Sequence, residues 1–219
     1  MPRLLILGAT GPSGILLIRE ALRVYDQCIV VVYARSPEKL PEDLSSNNSV
    51  IVIKGDLTDR EALAQALEGV DAVLSALGPG TFHPPGTPLA KAYEDIVDLM
   101  KERNVKRIVL LGTASIKDPK DKFSLTYASL IKGVATLAPR AYADIVAIGE
   151  VFRNKGEELD WTIVRVPILT NGDNTEVVAG YTGDGRIGTT LARKGFAAFA
   201  VEEVEGRAWV QERPLISSK

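Results

Sequence analysis

The chain contains one cysteine, Cys28, and one histidine, His83. A lone cysteine excludes an intrachain disulfide and fits a reducing compartment, taken here as the cytoplasm. One imidazole and one thiol also exclude a zinc site built on several of either, so no metal is expected. Long apolar runs are missing too. The longest, such as residues 28–34, have strand length and are too short to span a bilayer. Residues 1–3 lead directly into the short run 4–7, which is too brief for the apolar segment of a secretory signal. Without such a signal, Asn47-Asn48-Ser49 reads as an ordinary polar loop rather than a glycosylation acceptor. Nor does one sign of charge dominate. Lys and Arg number 26 against 28 Asp and Glu, a formal net charge of −2. That balance points away from nucleic acid and from an anionic membrane, and leaves a small-molecule substrate as the expected partner of a monomer or homodimer.

What is present is a steady alternation of strand-like and helix-like segments. Apolar, β-branched runs occupy 3–8, 28–35, 49–56, 71–78, 105–112 and 160–166. Between them, helical spacing appears at 15–24, 59–69 and 88–104, and in a long stretch ending at Gly156 with a break at Pro139. A last helix is predicted over 189–205 and a seventh strand over 206–216; residues 167–188 look like loop. The strands are continuously apolar rather than alternating, which means burial on both faces. The predicted fold is therefore α/β: a doubly wound, mostly parallel sheet of Rossmann type in one domain over residues 1–219. The loops after strands four to six, with the C-terminal part, would form the substrate side.

The stretch "LLILGATGPSG" places Gly8, Gly11 and Gly14 between the first strand and the first helix. A glycine turn in that position lets backbone approach a phosphate, and the helix start offers free N–H groups to the anion. The spacing differs from G-x-G-x-x-G, but the strand–turn–helix context is the one that motif requires. About 20 residues further on, an NAD site would carry Asp or Glu at the end of the second strand. This chain has Arg35 and Ser36 there, with Lys39 close by. A guanidinium pairs with a 2′-phosphate that a carboxylate would repel, so the expected cofactor is NADP(H).

Four stretches resemble the short-chain dehydrogenase/reductase superfamily, and within it the atypical NmrA-like and biliverdin reductase B/flavin reductase-like branch. They are "GATGPSG" (8–14), "GDLTD" (55–59), "SALGPG" (75–80) and "LDWTIVRVPILTNG" (159–172). The resemblance implies that Gly8, Thr10, Gly11, Pro12, Ser13 and Gly14 cradle the pyrophosphate and that Arg35 takes the 2′-phosphate. It further implies that Asp56 and Leu57 border the adenine and that Ala76, Leu77 and Gly78 line the ribose path. Pro167, Ile168 and Leu169 would lie near the nicotinamide, and Thr113, Ala114 and Ser115 stand where the superfamily keeps its catalytic serine. The superfamily's Tyr-x-x-x-Lys pair is absent: Tyr127 meets Lys132 five positions on, and Tyr142 meets Val146 at the spacing of four. In the C-terminal Ser-Arg-x-Asp pattern of the branch only Arg193 is kept.

The candidates for the reacting centre are Ser115 and Thr113, whose hydroxyls would polarise an acceptor, with His83 and Tyr142 as proton donors. His83 lies in a Gly/Pro-rich loop, 78–88, after the fourth strand. Asp144 and Glu150 read as a solvated helix face or helix-end pairing, Trp161 as packing, and "KDPKDK" (117–122) as a mixed-charge surface loop. These residues suggest an NADPH-dependent reductase of a small apolar or aromatic molecule: flavin-like, quinone-like or carbonyl. The alternatives are an NADP(H)-binding redox sensor of NmrA type, or a redox-neutral isomerase, dehydratase or cyclase.

Overall fold

The computed structural model describes residues 1–80 and 82–219. Six strands follow the predicted alternation: β1 (Arg3–Leu7), β2 (Ile29–Ala34), β3 (Val50–Lys54), β4 (Ala72–Ser75), β5 (Arg107–Thr113) and β6 (Asp160–Val166). Three short strands come next, β7 (Ile168–Thr170), β8 (Val177–Gly180) and β9 (Thr190–Ala192), and β10 (Leu215–Ser218) ends the series. The helices are α1 (Pro12–Val24), the four-residue α2 (Glu42–Ser45), α3 (Arg60–Ala66), α4 (Pro88–Glu102), α5 (Leu125–Leu137), α6 (Pro139–Lys155) and α7 (Arg193–Gly206).

The main sheet runs in the order β3-β2-β1-β4-β5-β6-β10-β8. Strands β1 to β6 are mutually parallel, β10 joins β6 in parallel, and only β8 runs antiparallel to its neighbour. Successive side chains of a strand point to opposite faces, so each strand feeds two cores. Leu5 and Leu7 pack toward α3, α4 and α6 with Leu63, Tyr93 and Phe152. Leu4 and Ile6 pack toward α1 and α7 with Leu17 and Phe196. Chain order reverses about β1: β2 and β3 lie on one side, β4 onward on the other. The carboxyl ends of β1 and β4 therefore flank a crevice, the usual ligand position in such sheets.

Pro139 divides α5 from α6 as predicted. Proline has no N–H to continue a helix and pushes the residue before it out of helical conformation; Ala138 sits at φ −137°, ψ 60°. Three expectations need correction. The sheet has eight strands, because residues 167–188 are not loop alone: β8 joins the main sheet beside β10, while β7 pairs with β9 in a separate two-stranded sheet. The last helix starts at Arg193, after β9. The last strand is only Leu215–Ser218; the chain before it turns, with the amide of Trp209 donating to Glu203 Oε1 at 2.7 Å. Short strands set by pairing with distant partners leave little periodicity to read.

Candidate functional site

A cleft of about 510 Å3 opens at the carboxyl ends of β1 to β4. Its walls include Gly8 and Thr10 from the turn after β1, Arg35 from the end of β2, Asp56 and Leu57 from the turn after β3, and Leu77 and Gly78 after β4. Seven of the predicted cofactor residues are thus brought together by four strand ends. Gly8 has φ +70°, and a Cβ on it would come within 2.7 Å of the Ala76 backbone, so only glycine lets the first turn pass β4. Ala76 supports that passage but contributes no wall to the cleft.

Gly11, Pro12, Ser13 and Gly14 form the cap and first turn of α1, beside the cleft wall rather than in it. The amides of Ser13 and Gly14 find no acceptor among the described residues. Such orphan donors at a helix start suit a phosphate, and the macrodipole adds partial positive charge there. The residues present therefore fit a dinucleotide. Ser36 and Lys39 stand in the wall beside Arg35, giving that end of the cleft two cations. Lys91 and Asp95 from α4, and Tyr33 from β2, also line it and were not read from the sequence. The Tyr33 hydroxyl donates to the Asp56 carbonyl at 2.6 Å, fixing the β3 turn. The Asp56 side chain is occupied locally, accepting from the amide and hydroxyl of Thr58 at 3.1 and 3.0 Å.

A second cavity, about 280 Å3, lies at the ends of β5 and β6 under α5. Thr113 and Ser115 line it together with Pro167 and Ile168, so Pro167 stands here and not in the larger cleft where seven of the predicted cofactor residues meet. Tyr127, Leu130, Ile131 and Val134 form its roof, a helical face at spacing i, i+3, i+4, i+7. The Thr113 hydroxyl accepts the Ser115 amide at 3.3 Å. The Ser115 hydroxyl has no hydrogen-bond partner among the described residues, although the residue is buried. It is therefore available to a ligand carbonyl or phenol. Leu169 lies outside both cavities and packs among core residues beside α7; Ala114 is buried against Tyr127 and Leu215.

The proposed proton donors fare differently. Tyr142, in the first turn of α6, borders neither cavity, because Pro139 turns that helix toward α4. Tyr127 is the tyrosine that lines the second cavity, but its hydroxyl donates to the Gly188 carbonyl at 2.5 Å and burial pushes its pKa up to about 12. His83 does line the cofactor cleft, but its Nε2 lies 2.7 Å from Asp144 Oδ2. Asp144 is fully buried, so of the two readings helix-end pairing holds and the solvated face does not: it also accepts the amides of Leu89 and Ala90 at 2.9 and 2.8 Å. One carboxylate on α6 thus caps α4 and holds His83 at the cleft wall.

The "KDPKDK" loop is likewise not simply surface. Arg165, wholly buried, forms a bidentate pair with Asp121 at 2.7 and 2.8 Å and donates to the carbonyls of Arg213 and Ile116. Asp118 pairs with Arg213. These pairs anchor the chain between Ser115 and α5. At the far end Arg193 donates to Asn171 at 2.7 Å, and the buried Arg107–Glu203 pair ties α7 to β5.

The family model described as NAD(P)H-binding matches residues 8–206. No curated protein matches the chain. Among solved structures, a short-chain dehydrogenase/reductase from Veillonella parvula in complex with NADP superposes with a TM-score of 0.80 at 17% identity, covering 99% of this chain and 94% of its own. ChuY, an anaerobillin reductase from Escherichia coli O157:H7, gives 0.78 at 20% identity, covering 100% and 97%. A Rossmann-fold NAD(P)-binding family protein from Shigella flexneri gives 0.68 at 24%, covering 100% and 94%. At these identities the likeness is one of fold.

Proposed function

The chain belongs to the NAD(P)H-binding family, and on that premise we propose that it is an NADPH-dependent reductase of a small apolar acceptor, flavin-like, quinone-like or carbonyl. The observation that carries the reading is the unpartnered Ser115 hydroxyl in an otherwise largely apolar cavity at the strand ends next to the dinucleotide cleft. An apolar wall with one convergent hydroxyl suits a planar molecule with a single polar edge. Arg35 and Lys39 support NADPH over NADH, since both would meet a 2′-phosphate.

The cofactor, when bound, supplies the hydride. The residues of the chain hold and orient. The Ser13 and Gly14 amides would hold the pyrophosphate, Arg35 the 2′-phosphate, and Ser115 the acceptor oxygen. With Tyr127 donating to a carbonyl and His83 tied to Asp144, no side chain among the described residues stands ready as an acid in the second cavity. An acceptor that takes hydride without strong acid catalysis, such as a flavin or quinone, fits this best; proximity to the nicotinamide does most of the work. The same lack of an acid favours, as a second reading, a redox sensor that holds NADP(H) without turnover. NADPH titration of the purified chain, followed by loss of reduced-nicotinamide absorbance with flavins, quinones and aldehydes, separates the two. Oxidation by a flavin or quinone establishes the reductase; tight binding with no oxidation across the panel leaves the sensor.

A further inference from the structure

The second cavity takes its walls from residues 113–115 at the end of β5, residues 166–168 at the end of β6, and one face of α5. None of the described residues that line it carries a charge. Charged neighbours exist, but each is turned away. Arg165 adjoins Val166, yet successive strand residues point to opposite faces, and the Arg165 guanidinium is held by both oxygens of Asp121. Lys117 is exposed and outside the lining. Lys132 stands on the side of α5 away from the roof face.

Burial in the cavity is graded. Ala114, Ser115, Tyr127 and Val166 are at most 8% exposed and form its floor, whereas Val134 and Ile168, 46% and 56% exposed, form its rim. A ligand therefore passes apolar side chains on its way to a buried hydroxyl. Polar groups at the floor are few. The Tyr127 proton is spent on the Gly188 carbonyl, and the Thr113 hydroxyl oxygen accepts the Ser115 amide. The Ser115 hydroxyl, with the Thr113 proton beside it, can satisfy one carbonyl oxygen. Two hydroxyls do not replace the hydration of a carboxylate, sulfonate or phosphate, and burial of such an ion without a counter-charge is heavily penalised. An ammonium fares no better, since no acid lines the cavity among the described residues. The volume, about 280 Å3, lies just under the usual range of roughly 300–1,000 Å3 for ligand pockets, which restricts the ligand to a compact one.

We propose that the second cavity selects by charge: it admits a compact, uncharged ring compound carbonyl-first, and rejects the same ring when an anionic group takes the place of the carbonyl. This rests on the reductase reading of the site and narrows it. Among flavin-like, quinone-like and carbonyl acceptors, only those whose entering end is neutral belong to the class.

Fluorescence titration of the full chain with 2-acetylnaphthalene and with 2-naphthoate tests this. The two probes match in size and differ by one charge. NADP+ is present throughout, so no hydride is available and binding alone is read. The ketone should bind, and the carboxylate at least about fiftyfold more weakly. Val134→Lys brings a cation to the rim at an exposed position that a lysine suits as a helix former. It should keep ketone binding and strengthen carboxylate binding about fivefold or more, a gain that salt removes. Equal binding of the two probes, no binding of the ketone, or an unchanged ratio in Val134→Lys overturns the proposal. The reductase reading is judged apart from this, by NADPH oxidation. Selective ketone binding with no oxidation of any acceptor would remove the reductase and leave the charge selection; oxidation beside equal binding of the two probes would do the reverse.

Discussion

His83 Nε2 and Asp144 Oδ2 lie 2.7 Å apart, though 61 residues separate them in the chain, and both side chains are buried. The same carboxylate receives the first amides of α4. A single side chain thus joins three things: helix α6, the start of α4, and the loop that walls the cofactor cleft.

Asp144→Ala should leave two buried amides and one imidazole nitrogen without an acceptor. Loss of a buried acceptor of this kind costs about 3 kcal/mol. For a chain of this size that is a fall in Tm of roughly 6–12 °C. His83→Ala removes one of the three bonds and should lower Tm by less than half as much while weakening NADPH binding. Thermal melts of both variants check the order; equal losses would show that the capping of α4 contributes little.

Arg165 and Asp121 predict an acid response. Burial alone would raise the Asp121 carboxyl, but its hydrogen bonds and attraction to Arg165, with the amides of Asp118 and Thr182, outweigh that and hold it below its ordinary value of 3.8. A carboxylate lowered on folding adds stability that is full above its unfolded value and is lost as pH falls through the folded one. Asp121→Asn should therefore cost about 3–5 kcal/mol at neutral pH, and the gap from wild type should narrow below about pH 4. Urea unfolding at several pH values measures it. Parallel curves down to the acid limb would remove the pair from the explanation.

The middle and last glycines of the first turn should separate binding from folding. A Cβ on Gly14 would fall 2.2 Å from the Gly8 carbonyl oxygen, so Gly14→Ala must push α1 off β1. A Cβ on Gly11 meets only that oxygen, at 3.4 Å. Gly11→Ala should fold with near-normal stability yet bind NADPH weakly, because a methyl group enters the phosphate approach; Gly14→Ala should lose stability first. Melting curves and cofactor titrations of the pair give the comparison, and a Gly11→Ala variant that binds normally would move the pyrophosphate elsewhere.

The fold was legible because each of the first six strands is an apolar run bounded by turn residues, and Pro139 announced its own break. The cleft at the ends of β1 to β4 was legible through Gly8 and Arg35, whose positions at strand ends are fixed by local sequence. Asp144 was not, since its partners come from a distant loop and helix start. One signal was available: Asp144, Ile145, Ile148 and Phe152 share the buried stripe of α6, and an acid on an apolar stripe needs a partner. Asp118 and Asp121 gave no such sign. In a run of lysines and prolines nothing marks which charge turns inward until Arg165 and Arg213 are placed beside them.

Ser115→Ala should reduce turnover with a flavin or quinone by roughly tenfold to a hundredfold, the worth of one hydrogen bond to the reacting oxygen. NADPH affinity should be unchanged, because Ser115 lines only the second cavity. Steady-state rates beside a direct cofactor titration give the split. If turnover persists, the hydroxyl serves local backbone and the acceptor is held by the apolar wall alone.

Arg35→Glu reverses the charge at the β2 end of the cleft, where Lys39 is the other cation. If Arg35 holds the 2′-phosphate as proposed, a guanidinium–phosphate contact worth about 1.5–3 kcal/mol would be lost. NADPH affinity should therefore fall roughly 10- to 150-fold, and further where the new carboxylate faces the 2′-phosphate. NADH, which carries a hydroxyl in place of that phosphate, loses no such contact, and the glutamate can accept its hydrogen bond. The variant should thus prefer NADH. Paired titrations of the two cofactors decide the matter, because an equal loss for both would mean that Arg35 acts on the fold of the cleft and not on the phosphate that distinguishes them.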